Sequence, residues 1–287
     1  MVQTQREIQS LLAEAGLHPR KRYGQNFLID GNLLRKLVAA AELRPTDVVL
    51  EVGAGTGSLT EELLARAGHV VAVEIDRGLQ AICFQRFADQ PHFTLVGQDV
   101  LERKSELSPL VHEALADRQG ELGGRLLLVA NLPYQVATPL VIDLLLSDLP
   151  FERMCFTVQA EVADRFTARP GTRDYGPVSI FCQQLADVSR IARVPATAFW
   201  PAPKVASAML KLQVRRERFP APAVLGRWVA LVQGGFRHRR KTLHWNLRAL
   251  LSADELARLE RIPSWDLSLR PEMLPPARWL ELAEFLE

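Results

Sequence analysis

The chain has 287 residues, 48% hydrophobic and 24% charged, with 35 Lys+Arg against 33 Asp+Glu for a formal net charge of +2. Such a composition belongs to a globular chain with core enough for one large domain, or a large one and a small one. It excludes disordered, collagen-like and mini-protein classes.

No 18 apolar residues run uninterrupted, and Arg6, Glu7 and Glu14 break up the first 20 residues, so neither a membrane span nor an export signal is expected. Cys83, Cys155 and Cys182 are odd in number, widely spaced and lack a Cys-x-x-Cys pair, which suggests no disulfide framework, no zinc site and a cytoplasmic location. The net charge is uneven. Residues 215–287 hold 13 basic and 9 acidic residues, whereas residues 1–214 hold 22 and 24. Within the later part, residues 215–248 contain 9 basic residues and a single acid, Glu217. A block of this kind suits a polyanion.

In chain order, residues 31–42 have helical apolar spacing, and residues 46–52 form a short apolar run that ends in glycines. Helical spacing returns at 58–67, Gly68 stops it, and a second strand follows at 69–74. The alternation continues with a helix at 77–88, a strand at 93–96, a helix near 106–117 and a strand at 126–130. Strands alternating with helices predict a Rossmann-like, doubly wound parallel sheet. Further strands are expected at 153–158, 187–194 and 205–214, the last two joined by a Pro-rich connection and forming an antiparallel edge pair. After Val214 the clear periodicity is helical, at 223–233, 241–251, 253–260 and 276–286. Two domains follow: residues 1–214, α/β, and residues 215–287, small, all-helical and carrying the basic block.

Glu51-Val-Gly53-Ala-Gly55-Thr-Gly57 closes the first strand and opens a helix, where glycines let the backbone pass close to a ligand. The acid ending the second strand, Glu74, lies about 20 residues on, where a ribose diol is bound in folds of this kind. Asp99, after the third strand, can accept from an adenine amino group. The fourth strand leads into Asn131-Leu132-Pro133-Tyr134. A nucleobase amine is a poor nucleophile because its lone pair is delocalised into the ring. Two acceptors drawing on its N–H bonds favour a pyramidal, more nucleophilic nitrogen. The Asn131 side-chain oxygen and the Leu132 carbonyl can be those acceptors, Pro133 fixes the turn, and Tyr134 offers a ring for stacking. Held in line with a sulfonium methyl group, such an amine needs little beyond positioning.

With these motifs the chain resembles the bacterial small-subunit ribosomal RNA adenine dimethyltransferases over nearly its whole length. The resemblance extends to Lys21-Arg-Tyr-Gly-Gln-Asn26-Phe-Leu28, to Gln159–Arg165 with Arg169-Pro-Gly171 and Tyr175-Gly176, to Phe199-Trp-Pro-Ala-Pro203-Lys-Val205-Ala-Ser207, and to Phe236–Leu243. It implies a class I methyltransferase sheet with S-adenosylmethionine as cofactor. Gln25, Asn26 and Leu28 would contact that cofactor, Gly53 and Gly55 border its methionine part, Glu74 hold its ribose and Asp99 its adenine, while Asn131 lies between cofactor and base. Phe199 would face Tyr134 across the target adenine, and Arg237, Arg239, Arg240 and Lys241 would contact phosphates. The implied substrate is a pair of adjacent adenosines near the 3′ end of 16S ribosomal RNA, in an immature 30S subunit.

Tyr23 stands where Phe is usual, and residues 118–125 make a somewhat longer connection. The six histidines are not at metal-binding spacing with a third ligand, and neither a P-loop nor Gly-x-Ser-x-Gly occurs, so no metal is expected. A monomer is expected. The rivals are a large-subunit RNA adenine methyltransferase of the macrolide-resistance type, a nicotinamide dehydrogenase by fold analogy, and an assembly factor with little catalysis.

Overall fold

The computed structural model describes residues 2–103 and 106–287. In chain order the elements are α1 (Gln5–Glu14), β1 (Phe27–Leu28), α2 (Gly31–Ala41), β2 (Val48–Val52), α3 (Ser58–Leu64), β3 (His69–Val73), α4 (Arg77–Phe87), β4 (Phe93–Val96), α5 (Pro109–Leu122), β5 (Leu126–Asn131), α6 (Ala137–Leu146), β6 (Phe151–Gln159), α7 (Ala160–Thr167), α8 (Pro177–Leu185), β7 (Ala186–Val194), β8 (Phe199–Trp200), β9 (Ser207–Val214), α9 (Pro222–Gly235), α10 (Leu243–Leu247), α11 (Ala253–Glu260) and α12 (Pro276–Phe285).

The main sheet has the order β4-β3-β2-β5-β6-β9-β7. Strands β2 to β6 are parallel, and β9 enters antiparallel against β6, from Arg153↔Gln213 to Gln159↔Ser207. The two expected strands are neighbours, with β7 at the sheet edge and β9 seated between β6 and β7. Central strands β2, β3 and β5 read as near-continuous apolar runs, broken in β2 by Glu51, because both faces are covered.

Helix starts carry local signatures. Thr4 and Glu7 form a capping box on α1, Asp30 accepts from the N–H groups of Asn32 and Leu33 at the start of α2, and Asp76 accepts from Gly78 at the start of α4. Helix α1 was not apparent from its modest apolar content. It buries Ile8 and Leu12 against Phe27, Leu79 and Ile82.

The chain divides into two compact units, Met1–Ala163 with Val188–Val214, and Asp164–Asp187 with Arg215–Glu287. The expected division at residue 215 therefore misses the segment 164–187, which belongs to the helical unit. Packing gives the reason. Phe181 of α8 meets Trp228 of α9 edge-on at 5.0 Å, and the Tyr175 hydroxyl donates to the Leu274 carbonyl at 2.7 Å. Trp228 and Trp279 are fully buried there, and a Cβ on Gly235 would come within 2.3 Å of the Trp279 ring, so only glycine lets α9 approach α12 this closely.

One buried ion pair locks the start of the sheet. Asp47, without exposed surface, takes the Arg125 Nη2 at 2.6 Å and Nε at 3.0 Å, and also accepts from the Arg44 N–H at 2.7 Å. Replacing Asp47 by alanine leaves the half-buried Arg125 guanidinium without its carboxylate, with only the Glu42 carbonyl at 2.8 Å. We expect D47A to lose roughly 3 kcal/mol of unfolding free energy in urea titration, whereas a change under about 0.5 kcal/mol would place the pair in the exposed class.

Candidate active site

A cavity opens at the carboxyl ends of β2, β3, β4 and β5, lined by the glycine loop, Glu74, Asp99, the Asn131–Tyr134 turn and the Gln25–Leu28 segment. All cofactor positions expected from the sequence, Gln25, Asn26, Leu28, Gly53, Gly55, Glu74, Asp99 and Asn131, line this one space, as do Leu132, Pro133 and Tyr134. Each reaches it by a different route.

Gly53, Gly55 and Gly57 have φ of 78°, 61° and 84°, the left-handed region in which a Cβ is strained. At Gly53 a Cβ would also press on Pro133 at 3.3 Å, so the glycine loop lies tight against the Asn-Leu-Pro-Tyr turn. Glu74 fixes the loop: Oε2 accepts from Gly55 N–H and Oε1 from Asp76 N–H, both at 2.9 Å. Burial raises the Glu74 carboxyl above its ordinary value against these two donors.

The segment before β1 is tied to the same turn. Gln25 donates to Asp76 Oδ2 at 3.1 Å and accepts from the Arg20 N–H at 2.7 Å, while the Arg20 guanidinium pairs with Asp76 at 3.2 Å. Asp99 is exposed to the cavity, and its Oδ1 accepts from Leu101 N–H at 3.1 Å.

Asn131 ends β5, and its Nδ2 donates to the Asn26 carbonyl at 3.0 Å. A carbonyl oxygen only accepts, so this bond fixes the amide orientation and leaves Oδ1 as the acceptor for a ligand. The Tyr134 hydroxyl is bound to Ser207 Oγ at 2.9 Å, which holds the ring in place. Neither Asn26 as carbonyl partner nor Ser207 was predicted, because these contacts join residues 105 and 73 apart in sequence.

Phe199 is the correction. It does not line the cavity and is 2% exposed, packed in the core with Leu28 and Met209. Strand β8 pairs antiparallel with β1, Leu28 opposite Phe199, and the alternation of side chains turns Phe199 inward. Its neighbour Trp200 faces the other way and stacks on the cavity residue Phe27 with centroids 6.2 Å apart. Arg237, Arg239, Arg240 and Lys241 lie in the helical unit, exposed between α9 and α10, with Arg239 donating to the Tyr175 carbonyl at 2.8 Å.

Glu51 also lines the cavity and was not singled out as a site residue. Its side chain is 1% exposed, Thr60 Oγ1 donates to it at 2.7 Å, and burial pushes its carboxyl up to about 8. Glu51, Glu74 and Asp99 make the lining rich in acceptors. The exposed Arg22, lying over the Tyr23 ring, is the single cation among the described lining residues. A pyrophosphate would meet carboxylates here and find the Gly55 N–H already engaged. A ligand with a ribose diol, an exocyclic amine and a positive centre matches the donors and acceptors, and S-adenosylmethionine has all three. Among the described residues, no group of three His, Cys, Asp or Glu side chains could hold a metal, and no helix is long and apolar enough to cross a membrane.

Fold and cavity together define a class I methyltransferase that uses S-adenosylmethionine. The family model described as ribosomal RNA adenine dimethylase matches residues 16–286, and the chain belongs to that family. It is 41% identical over 277 residues to "Ribosomal RNA small subunit methyltransferase A" of Magnetococcus marinus, covering 96% of this chain and 95% of that protein. The protein of the same name from Moorella thermoacetica is 42% identical over 234 residues, 82% of this chain and 80% of the relative. Among solved structures, a dimethyladenosine transferase from Plasmodium falciparum shares the fold at TM-score 0.71 and 23% identity, covering 89% of this chain and 95% of that one. The 23S rRNA methyltransferase ErmE matches at TM-score 0.64 and 26% identity, over 91% and 99%.

Glu51 gives the site a pH signature. Its folded-state value of about 8 lies above the ordinary 4.5, so its contribution to stability is complete below 4.5 and is lost as pH rises through 8. Glu51→Gln keeps an acceptor for Thr60 and removes the titration. Thermal melts should show E51Q several degrees more stable than the parent at pH 8, roughly 3 to 8 °C, with the gap shrinking towards pH 5. A gap of equal size at both pH values would mean that Glu51 does not titrate in this range.

Proposed function

We propose that this chain dimethylates the N6 amines of two adjacent adenosines near the 3′ end of 16S ribosomal RNA, on an immature 30S subunit in the cytoplasm, as a monomer and without a metal. The observation that carries the reading is the orientation of Asn131, whose Nδ2 is held by the Asn26 carbonyl so that Oδ1 is left to accept. The choice of the small subunit is supported by 41% identity, over 96% of the chain, to a relative named for it. The large-subunit alternative rests on the 26% identity to ErmE.

Under this reading Asn131 Oδ1 accepts one N–H of the target amine and the Leu132 carbonyl the other. Tyr134, fixed through Ser207, stacks on the base and offsets part of the cost of unstacking it, roughly 1 to 3 kcal/mol. S-adenosylmethionine supplies, when bound, a methyl group activated by the positive charge on its sulfur. Glu74 and Asp99 bind and orient it through hydroxyl and amine contacts. Among the described lining residues there is no His or Lys, and none is required: the methylated nitrogen carries a positive charge and sheds its proton readily. Phe199, as a core residue, supports the cavity wall through β1.

Asn131→Ala should lower methylation of 30S particles by at least about a hundredfold, as loss of a transition-state acceptor does, while particle binding stays within twofold. Mass-spectrometric mapping of the RNA reads this directly, and undiminished methylation would refute the mechanism. Supplying protein-free large-subunit RNA alongside immature 30S particles decides between the two ribosomal substrates.

Arg237, Arg240 and Lys241 are proposed as phosphate contacts. Replacing all three by alanine should reduce the slope of log affinity against log salt by about two to three. An unchanged slope would remove them from the interface.

A further inference from the structure

We infer that Gln3 is a positioning residue for the S-adenosylmethionine cavity, holding the glycine loop from a segment that precedes the family's matched region, residues 16–286. The inference rests on the reading of that cavity as the cofactor site.

Gln3 is 7% exposed although it stands at the third position of the chain. Its Nε2 donates to the Thr56 carbonyl at 3.3 Å, and its Oε1 accepts from the Thr56 and Ser58 hydroxyls, both at 2.6 Å. Thr56, in the turn after β2, and Ser58, the first residue of α3, flank Gly57, and both line the cavity. The Thr56 carbonyl can only accept, so the amide orientation is fixed, and Gln3 engages three polar groups where the turn enters α3. The Thr56 carbonyl also accepts from the Arg86 guanidinium, whereas the two hydroxyls turn to Gln3.

The clamp is itself anchored. Thr4, the next residue, caps α1, and Ile8 and Leu12 are buried against Phe27 and Leu79, which also line the cavity. Gln3 is therefore held by the packing of α1. From there it adds a further restraint to a turn that Glu74 holds at the Gly55 N–H and Arg86 at the Thr56 carbonyl. A loop already in its bound conformation loses less entropy on binding, and that gain appears as affinity for the cofactor and not as chemical rate.

The test uses the full chain with Gln3→Ala and Gln3→Met, the second keeping side-chain volume while removing all three hydrogen bonds. Calorimetry with S-adenosylhomocysteine and steady-state kinetics with S-adenosylmethionine and 30S particles are read together. Both variants should weaken S-adenosylhomocysteine binding and raise the KM for S-adenosylmethionine by about tenfold, as loss of one to two net hydrogen bonds implies. The kcat and the KM for particles should stay within twofold. Parent-like affinity in Q3M would overturn the inference even if its melting temperature fell, since a merely structural residue would show that pattern. A fall in kcat at unchanged KM would overturn it too. Failure of the parent protein to bind S-adenosylhomocysteine would overturn the cofactor reading itself.

Discussion

The Glu74 carboxylate joins the turns that follow two neighbouring parallel strands, one oxygen on Gly55 N–H and the other on Asp76 N–H. Strands β2 and β3 run in register from Val48↔His69 to Val52↔Val73, so the loops leaving them emerge side by side and need a common acceptor. Asp76, positioned by the same contact, caps α4 and receives Gln25 and Arg20 from the segment before β1. That segment continues to Asn26, whose carbonyl orients Asn131 at the end of β5. A chain of hydrogen bonds thus runs from the Glu74 end of the cavity to the acceptor proposed to act on the target amine. Each link is a backbone group or a side chain with one possible polarity, which is what makes the geometry unique.

Three acids around one cavity would ordinarily repel one another, and two features contain that repulsion. Burial holds Glu51 as a neutral acid up to about pH 8, and Glu74 faces two N–H donors. The resulting field disfavours anions and suits a ligand with a positive centre. This electrostatic character separates the site from the dinucleotide pocket to which a doubly wound sheet alone would point. In that pocket the glycine-loop N–H groups stay free for pyrophosphate.

Much of this was legible in the sequence because local chemistry and long-range structure agree there. The strands β2, β3, β4 and β5 appear as apolar runs, their ends are marked by Gly53, Glu74, Asp99 and Asn131, and all four residues line one cavity. What escaped depends on partners far along the chain. Helix α6 is apolar around most of its circumference, so it shows little stripe, and α7 and α8 lie where strand-like and helix-like patterns mix. Phe199 was placed at the base by the family resemblance alone, on the segment Phe199-Trp-Pro-Ala-Pro203. The two-residue pairing of β1 with β8, which turns it into the core, leaves no periodic trace in so short a strand. The segment 164–187 joined the helical unit through Phe181 and Tyr175, whose partners Trp228 and Leu274 lie 47 and 99 residues further on.

The charge surplus of the later chain also changes meaning once its partners are known. Of the nine basic residues between 215 and 248, Arg215 and Arg218 share Asp187, and Arg227 pairs with Glu255. Asp187 lies in the segment that the sequence division had left in the other domain, so two of these cations serve packing within the helical unit. The exposed cations are concentrated in Arg237–Lys241, where His238 meets the Trp245 ring at 4.5 Å and Lys241 lies 5.7 Å from its centroid. A patch this short neutralises few phosphates. On the proposed reading, charge therefore supplies a modest, salt-sensitive share of affinity, and selection among RNAs must come from shape and from the base accepted between Asn131 and Tyr134.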